Sequence, residues 1–427
     1  MTIAPVPLFN SKKEAFGFLA LATLFLALHV SFIYAQYKDF VGDGRHVIQG
    51  VITKHEERIS KHNRAYQLLH VKTPQFLLYT VSWDEDLHVR VGQYINLTLI
   101  SENLSFKDYL SKRFFAPSFG HYPLRKSEDN LREKLYCFIA SRHENPKLQN
   151  LFGALFLGVS VQKDLRQDIT HWGVAHLVAI SGFHLGVLMF LGYGILSPIY
   201  SYFQGRYFPY RNRHVDIGIT LLVLTFWYMW LIDFTPSFVR SWVMAFVGFW
   251  LLYRHVKLLS FSTLGVCVVI LVVLFPNLLL HIGFFFSIFG VFFIFLYLHH
   301  FKDLFHSKLL HVIFLNIWVF LGMVIPVHFW FGLNTLQQFS AIPLSLIFVL
   351  FYPLATFLHV TGFGGLIDAP LEEFLSMRFA QEGYFITPLW MMLGYISLSL
   401  LAIGNRWLAL GVVSLGILPF IFVQISA

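Results

Sequence analysis

The residues best able to do chemistry in an otherwise apolar chain lie in His176-Leu-Val-Ala-Ile-Ser-Gly-Phe-His-Leu-Gly186. Two histidines, a serine and two glycines open an apolar run from Trp172 to Phe203. Polar and titratable groups are costly in hydrocarbon, so a membrane segment carrying several is a functional candidate by default. At about 100° per residue on one continuous helix, His184 falls roughly 80° from His176 and Ser181 about 60° from His184, a single broad polar face. Gly182 and Gly186, four apart, form a second face that admits a close neighbouring helix. The plainer alternative is that neighbouring helices satisfy both histidines and the glycines only pack.

A second constellation is Asp233-Phe-Thr-Pro-Ser-Phe-Val-Arg-Ser-Trp-Val-Met244. Arg240 stands about one turn inside an apolar segment that begins near Pro236, where an arginine must find a partner, reach the interface or meet water. Ser237, three residues earlier, shares roughly its helix face. Snorkelling to the interface is the alternative that requires no function. A third chemistry is an intramembrane serine hydrolase, with Ser181 as nucleophile. It needs a histidine nitrogen within hydrogen-bond reach of Oγ and an oxyanion hole. His184, three residues along the same helix, is poorly placed as the base; His281 and His328 are the other candidates.

His176–Gly186 resembles the signature of the ComEC family of competence proteins, commonly written HLLAISGLHVG, whose members carry transforming DNA across the cytoplasmic membrane. The run Pro236–Met244 resembles the family's "xPSVxRAxxM" at matching distance, and Leu151–Gly158 (LFGALFLG) resembles its "LLxALLLG". Phe106-Lys-Asp-Tyr-Leu110 is similar to an FDYxxYL-type approach to the membrane domain. Two later matches are looser. Ile282-Gly-Phe-Phe-Phe-Ser287 has Phe where "GFQLSF" has Gln, and Ser340-Ala-Ile-Pro343 lacks the Asn of "ANLLAIPL".

The resemblance implies transport of single-stranded transforming DNA along a hydrated path, with His176, Ser181, Gly182, His184, Gly186, Ser237 and Arg240 as path candidates. It implies an OB-like domain after the first span, a cytoplasmic (inner) membrane location, and no cofactor. Single-stranded DNA and membrane lipid are then the partners, with an extracytoplasmic DNA receptor and a cytoplasmic single-strand-binding or motor protein beside them. Many relatives carry a C-terminal metallo-β-lactamase-like domain. This sequence has no His-x-His-x-Asp-His run, so no enzymatic activity and no metal site are expected. A small-solute transporter is a further reading, weakened by the lack of broken-helix pairs in matching halves.

Composition agrees with a membrane protein. Hydrophobic residues make up 56% of the chain and charged ones 13%, against about 25% charged in a soluble domain, and mean hydropathy is +0.63. The net charge of +8 suits DNA and suits cytoplasmic loops on anionic lipid equally well. Cys137 and Cys267 lie in regions of different character and predict neither a disulfide nor a metal site.

The elements that must position these residues follow from patterning. The predicted fold is a mainly α polytopic membrane protein of about ten spans with a small all-β OB-like extracytoplasmic domain. Residues 1–38 read as an uncleaved anchor, with Lys12 and Lys13 ahead of the apolar run Phe16–Ala35 and a cytoplasmic N-terminus. Residues 39–104 read as the OB-like domain, from short runs at His46–Thr53, Ala65–Lys72, Phe76–Trp83, His88–Val91 and Tyr94–Ile100; five strands at this spacing fit a small barrel that binds single strands. Residues 105–150 read as amphipathic and linker helices. Within them Phe106–Lys126 interleaves bases and aromatics, so Lys107, Lys112, Arg113, Phe114 and Phe115 are surface candidates for a lipid interface or DNA. Residues 151–427 read as the polytopic domain. Spans are expected at Asp216–Leu231, Phe238–Tyr253, Leu258–Phe275, Ile282–Leu298, His311–Ile325, Ala341–His359, Tyr384–Ile403 and Trp407–Ile425. A re-entrant break is expected near Pro326, and an interfacial helix within Gly362–Gly383. Basic clusters at Arg206/Arg211/Arg213, Arg254/His255/Lys257 and His299/Lys302/Lys308 set the cytoplasmic ends.

Overall fold

The computed structural model describes residues 8–9, 11–60, 64–84, 93–123, 131–254 and 260–426. The described residues divide into two compact units, one within Phe9–Leu135 with Val268–His281 and the other within Tyr136–Cys267 with Ile282–Ala427.

The first unit begins with helix α1 (Lys12–Gly42), capped by Ser11, whose Oγ accepts from the Glu14 amide. α1 has no buried residue along its length, as suits a helix whose solvent is lipid. Gly44, at φ 69°, turns the chain sharply into the sheet. Six strands follow, β1 (Arg45–Ile59), β2 (Ala65–Lys72), β3 (Leu77–Ser82), β4 (Tyr94–Ile100), β5 (Arg113–Phe115) and β6 (Ser118–Pro123), with helix α2 (Phe106–Ser111) before β5. The order is β5-β3-β2-β1-β4-β6, antiparallel except for β3 with β5. Strand β1 serves two neighbours, pairing with β4 through its first half and β2 through its second, with a register shift between Ile52 and Lys54. The sheet curls: the Thr80 and Ser118 hydroxyls lie 2.6 Å apart, and Ala116 donates to the Tyr79 carbonyl at 3.0 Å.

Alternation puts every second residue inside. Ile52, Leu69, Val71, Leu78, Ile95, Leu97 and Leu99 are buried together with Phe76 and Phe114, each worth about 1.5–3 kcal/mol of apolar transfer. Strands β2 and β4 have the predicted bounds, β1 extends to Ile59, and His88–Val91 lies outside the described residues.

The stretch expected to be an amphipathic helix behaves differently. Among its described residues only Phe106–Ser111 is helical, because Lys112 takes a left-handed conformation (φ 55°) that ends the turn. Arg113–Ala116 then alternates exposed and buried, a strand period, so Phe114 is core rather than surface. Lys107, Lys112, Arg113 and Phe115 are exposed. The sheet therefore takes its last two strands from beyond residue 104.

The second unit holds the second half of α3 (Leu131–Ala140), then α4 (Pro146–Leu157), α5 (Lys163–His171), α6 (Ala175–Val178), α7 (Gly182–Tyr207), α8 (Arg213–Leu231) and α9 (Pro236–Tyr253). α10 (Phe261–Leu274) is divided between the units. α11 (Ile282–Phe301), α12 (Lys308–Trp330), α13 (Ala341–Thr361), α14 (Asp368–Ser376), α15 (Leu389–Leu401), α16 (Arg406–Ser414) and α17 (Leu418–Ser426) complete the bundle. A two-residue ladder, β7 (Leu333–Asn334) with β8 (Gly383–Tyr384), joins the ends of α12 and α14. Seven helical stretches among the described residues are long and apolar enough to span a membrane: α1, α7, α8, α11, α12, Leu336–Thr361 and Arg406–Val423. Three shorter apolar helices are Ser237–Tyr253, Phe261–Leu274 and Leu389–Gly404.

Pro326 does not break α12, which runs on to Trp330. Close packing also comes from glycines outside the motifs. A Cβ on Gly192 would meet Leu221 Cδ2 at 2.4 Å, and one on Gly218 would meet Phe249 Cε2 at 2.3 Å, so these glycines make room for the side chains by which α8 packs on α7 and α9 on α8. Buried Asp168 on α5 takes ion pairs from Lys147 and Arg378, fixing α4 and the segment after α14 to α5.

Candidate functional site

The signature is not one helix. α6 is a single turn, after which Ala179 is extended (ψ 125°) and Ser181 is extended as the N-cap of α7 (φ −141°, ψ −179°). His176 therefore does not share a helix face with His184: it is exposed, with Nδ1 3.1 Å from the Gly173 carbonyl. His184 is fully buried. The Ser181 amide donates to His184 Nδ1 at 3.3 Å, and Ser181 Oγ lies 3.3 Å from the same atom. This is the reciprocal half of a capping box, with histidine in place of Glu or Gln. An Nδ1 that accepts leaves the proton on Nε2, and Nε2 is buried without a hydrogen-bond partner. The rings of Phe348 and Tyr352 on α13 stand edge-on to His184, with centroids 5.4 and 4.9 Å away.

This geometry bears on the hydrolase reading. The His184 nitrogen nearest Ser181 Oγ already accepts from a backbone amide, and Nε2 meets no carboxylate. The pair builds a helix start.

The second constellation docks on the break. Ser237 donates to the carbonyl of Ile180, an acceptor left free by the interruption between α6 and α7. Ser241 Oγ bonds the Ser237 carbonyl at 2.9 Å and lies 2.8 Å from where a Cβ on Gly182 would stand. Gly182 is thus the close contact between α7 and α9. Gly186 has nothing within 4 Å of its Cβ position, so the expected paired-glycine face reduces to one glycine. Ile180, Leu185, Met229, Ile232 and Phe238 bury one another behind this contact.

Arg240 is 5% exposed, so it does not snorkel. One Nη donates to the Gly283 carbonyl at 2.9 Å, while Nε is buried without a partner. No carboxylate pairs with it among the described residues. Gly283 belongs to the looser match Ile282–Ser287, and a Cβ there would stand 3.4 Å from the guanidinium. Two non-glycine residues at positive φ, Asp233 (61°) and Phe234 (49°), turn the chain into α9, the kind of backbone that persists only where its surroundings fix it. Sequence reasoning missed Ser241, Gly283, Phe348 and Tyr352. Ser241 was within reach, standing four residues after Ser237.

On the β sheet, two aromatic and basic pairs lie outside the predicted set. Arg45 stands 5.9 Å over the exposed Phe119 ring, and Arg64 stands 5.6 Å over Trp83, itself 5.2 Å from Tyr66. Glu56 is held down at about 2 by hydrogen bonds from Lys54 and Arg58, and burial pushes the His70 and His121 imidazoles below their ordinary value.

A family model described as "Competence protein" matches residues 155–427. No curated protein matches the chain, and neither does any solved structure.

Proposed function

This chain belongs to the competence protein family, and from that premise we propose that it carries single-stranded DNA across the cytoplasmic membrane during transformation, with Arg240 as a phosphate-binding element of the route. The observation that carries the reading is the buried Arg240 guanidinium with one backbone carbonyl and, among the described residues, no carboxylate partner. A buried charge without its counterion costs several kcal/mol, so a fold that keeps one reserves it for an anion that comes and goes. A phosphodiester is such an anion, and guanidinium is the cation best shaped for it. Passage also requires binding weak enough for release, which a single arginine supplies better than a row of cations.

In this reading the curled sheet is the OB-like domain, on the extracytoplasmic side, and it presents single strands through Arg45–Phe119 and Arg64–Trp83–Tyr66, where bases stack and cations meet phosphates. The ring pairs Phe348 and Tyr352 beside His184 line the same route. A DNA receptor outside and a single-strand-binding or motor protein inside would deliver and collect the strand. No bond is made or broken by this chain. The test follows labelled DNA in cells lacking the gene, complemented with wild type or Arg240→Ala. Wild type brings label into the cytoplasm; the alanine variant, inserted at equal level, leaves it outside. Equal cytoplasmic label with both would overturn the reading.

A further inference from the structure

Three residues that no motif singled out form a buried chain elsewhere in the helical unit. His143 lies in the turn between α3 and α4, His359 in the last turn of α13, and Asp368 opens α14. His143 Nδ1 is 2.8 and 3.0 Å from the two Asp368 carboxylate oxygens. Its Nε2 is 2.9 Å from His359 Nε2, and His359 Nδ1 is 2.7 Å from the Ala355 carbonyl. Phe152 stacks on His143 with centroids 4.5 Å apart, and Phe152 and Phe156 pack the His359 ring at 4.5 and 5.0 Å. The His143 side chain has no exposed surface, whereas Asp368 keeps 22% of its own.

Hydrogen counting fixes the state of this chain. The Ala355 carbonyl only accepts, so His359 Nδ1 must carry a hydrogen. The two facing Nε2 atoms need one hydrogen between them, and so do His143 Nδ1 and the carboxylate. Three bonds need three hydrogens, and two neutral imidazoles bring two. The third is an added proton, held either as imidazolium against carboxylate or as carboxylic acid beside two neutral rings. Without it, two lone pairs face each other in an aromatic cage.

We infer that Asp368, His143 and His359 form a proton-binding relay, loaded through the partly exposed carboxylate and ending on the backbone of α13. The charged groups around it are few. Arg142, next in sequence, stacks its guanidinium on Phe138 at 4.9 Å and approaches the Gly362 Cβ position to 3.8 Å. Its charge opposes the added proton, while Asp368 favours it. From α14, Glu372 is bonded by Asn145 Nδ2 at 2.6 Å. From α4 the facing groups are Phe152 and Phe156, which carry no charge. α13 also bears Phe348 and Tyr352, the rings beside His184, so the relay attaches a proton to the helix that flanks the signature. The relay itself stands independently of the transport reading.

Asp368→Asn separates this proposal from a merely structural cluster. Asparagine Nδ2–H can donate to His143 Nδ1, His143 Nε2–H to His359, and His359 Nδ1–H to Ala355, so all three bonds form with two neutral rings. The folded wild type then holds one proton more than folded D368N, whereas the unfolded chains bind equally above the carboxylate range, about pH 4. A protein that binds the extra proton when folded loses stability as pH rises. Unfolding of the purified full chain in mixed micelles, followed by tryptophan fluorescence from about pH 5.5 to about pH 8.5, should show the folding equilibrium of wild type falling about tenfold per pH unit relative to D368N. His359→Gln, which breaks the imidazole pair, should give the same difference above about pH 7, and serves if D368N does not fold. Parallel pH profiles for wild type and the variant would overturn the relay.

Discussion

The Ser237 hydroxyl donates to the carbonyl of Ile180, so one polar constellation repairs the helix break inside the other. Ile180 lies between α6 and α7, where no helical amide reaches its oxygen, and a free carbonyl at membrane depth is tolerated only against protein or water. One residue past Arg240 on the same helix, Ser241 stands against Gly182, and Arg240 itself reaches the Gly283 carbonyl. Two segments far apart in sequence, the start of α7 and the start of α11, are thus tied to α9 through backbone groups. Motif residues here do two jobs: they hold irregular backbone in place, and they leave Arg240 and His184 with unspent hydrogen-bonding capacity.

Gly182→Ala tests this contact directly. The new methyl would stand 2.8 Å from Ser241 Oγ and 3.3 Å from its Cβ, so stability in micelles should fall by about 1–3 kcal/mol, the usual cost of overpacking. Ser241→Gly should return most of the loss, with a coupling of about 0.5–3 kcal/mol in the double-mutant cycle. Gly186→Ala meets nothing within 4 Å and should be neutral, or stabilising by up to about 1 kcal/mol through helix propensity. Equal damage at both glycines would contradict the packing described.

Much of this architecture was legible because it depends on period and length. The alternation at Ala65–Lys72 and Tyr94–Ile100 gives strands with those bounds, and the apolar runs of α1, α7, α8 and α11 through α13 give long helices. Arg113–Ala116 was misleading because bases and aromatics suit an interfacial helix and an edge strand alike, and only the left-handed Lys112 decides between them. The helix break at Ala179–Ser181 was hidden because no proline or acidic cap marks it; a histidine at the third position does the work of a glutamate. His143 and Asp368 are 225 residues apart, and pairings of that separation leave no local pattern.

Acid should loosen the sheet before it touches Glu56. Burial holds the His70 and His121 imidazoles below their ordinary value in the fold, so on acidification the unfolded chain takes up protons first. Their stabilising contribution is present above the ordinary histidine value of about 6.5 and is lost as pH falls below it. Glu56, held at about 2 by Lys54 and Arg58, gives up its contribution only near that pH. Hydrogen-exchange protection factors for β2 and β6 in the full chain should therefore drop between about pH 7 and about pH 5. His121→Gln should flatten the response in β6, where His121 Nε2 meets Ser118 Oγ at 2.8 Å. Unchanged protection over this range would show that neither ring titrates with unfolding.

Ser181→Ala distinguishes capping from bond-making chemistry. Alanine loses the contact of Oγ with His184 but keeps the backbone amide that donates to Nδ1. One net hydrogen bond is worth about 0.5–1.5 kcal/mol, so DNA import should fall no more than about tenfold. Loss of a nucleophile would cost several orders of magnitude. Ser181→Leu should be the worse variant, since its bulk enters the α7–α9 contact beside Gly182. An alanine variant as inactive as leucine at matched membrane expression would restore the hydrolase reading.

Arg240→Met sets stability against function at the residue on which the transport reading rests. Methionine fills similar space without charge, and replacing buried ionic groups by apolar ones of like volume is often stabilising by about 1–4 kcal/mol. Because Arg240 has one carbonyl acceptor and, among the described residues, no carboxylate partner, the variant should unfold at higher temperature than wild type. Its DNA import should nevertheless fall by about ten- to a hundredfold, the worth of a charged hydrogen bond of about 1.5–3 kcal/mol. Arg240→Lys keeps the charge and loses the planar fork, so it should import at an intermediate rate. The two readouts must move in opposite directions. A methionine variant that is less stable and equally impaired would make Arg240 a structural donor to Gly283, and one that is more stable with unchanged import would remove it from the path of the strand.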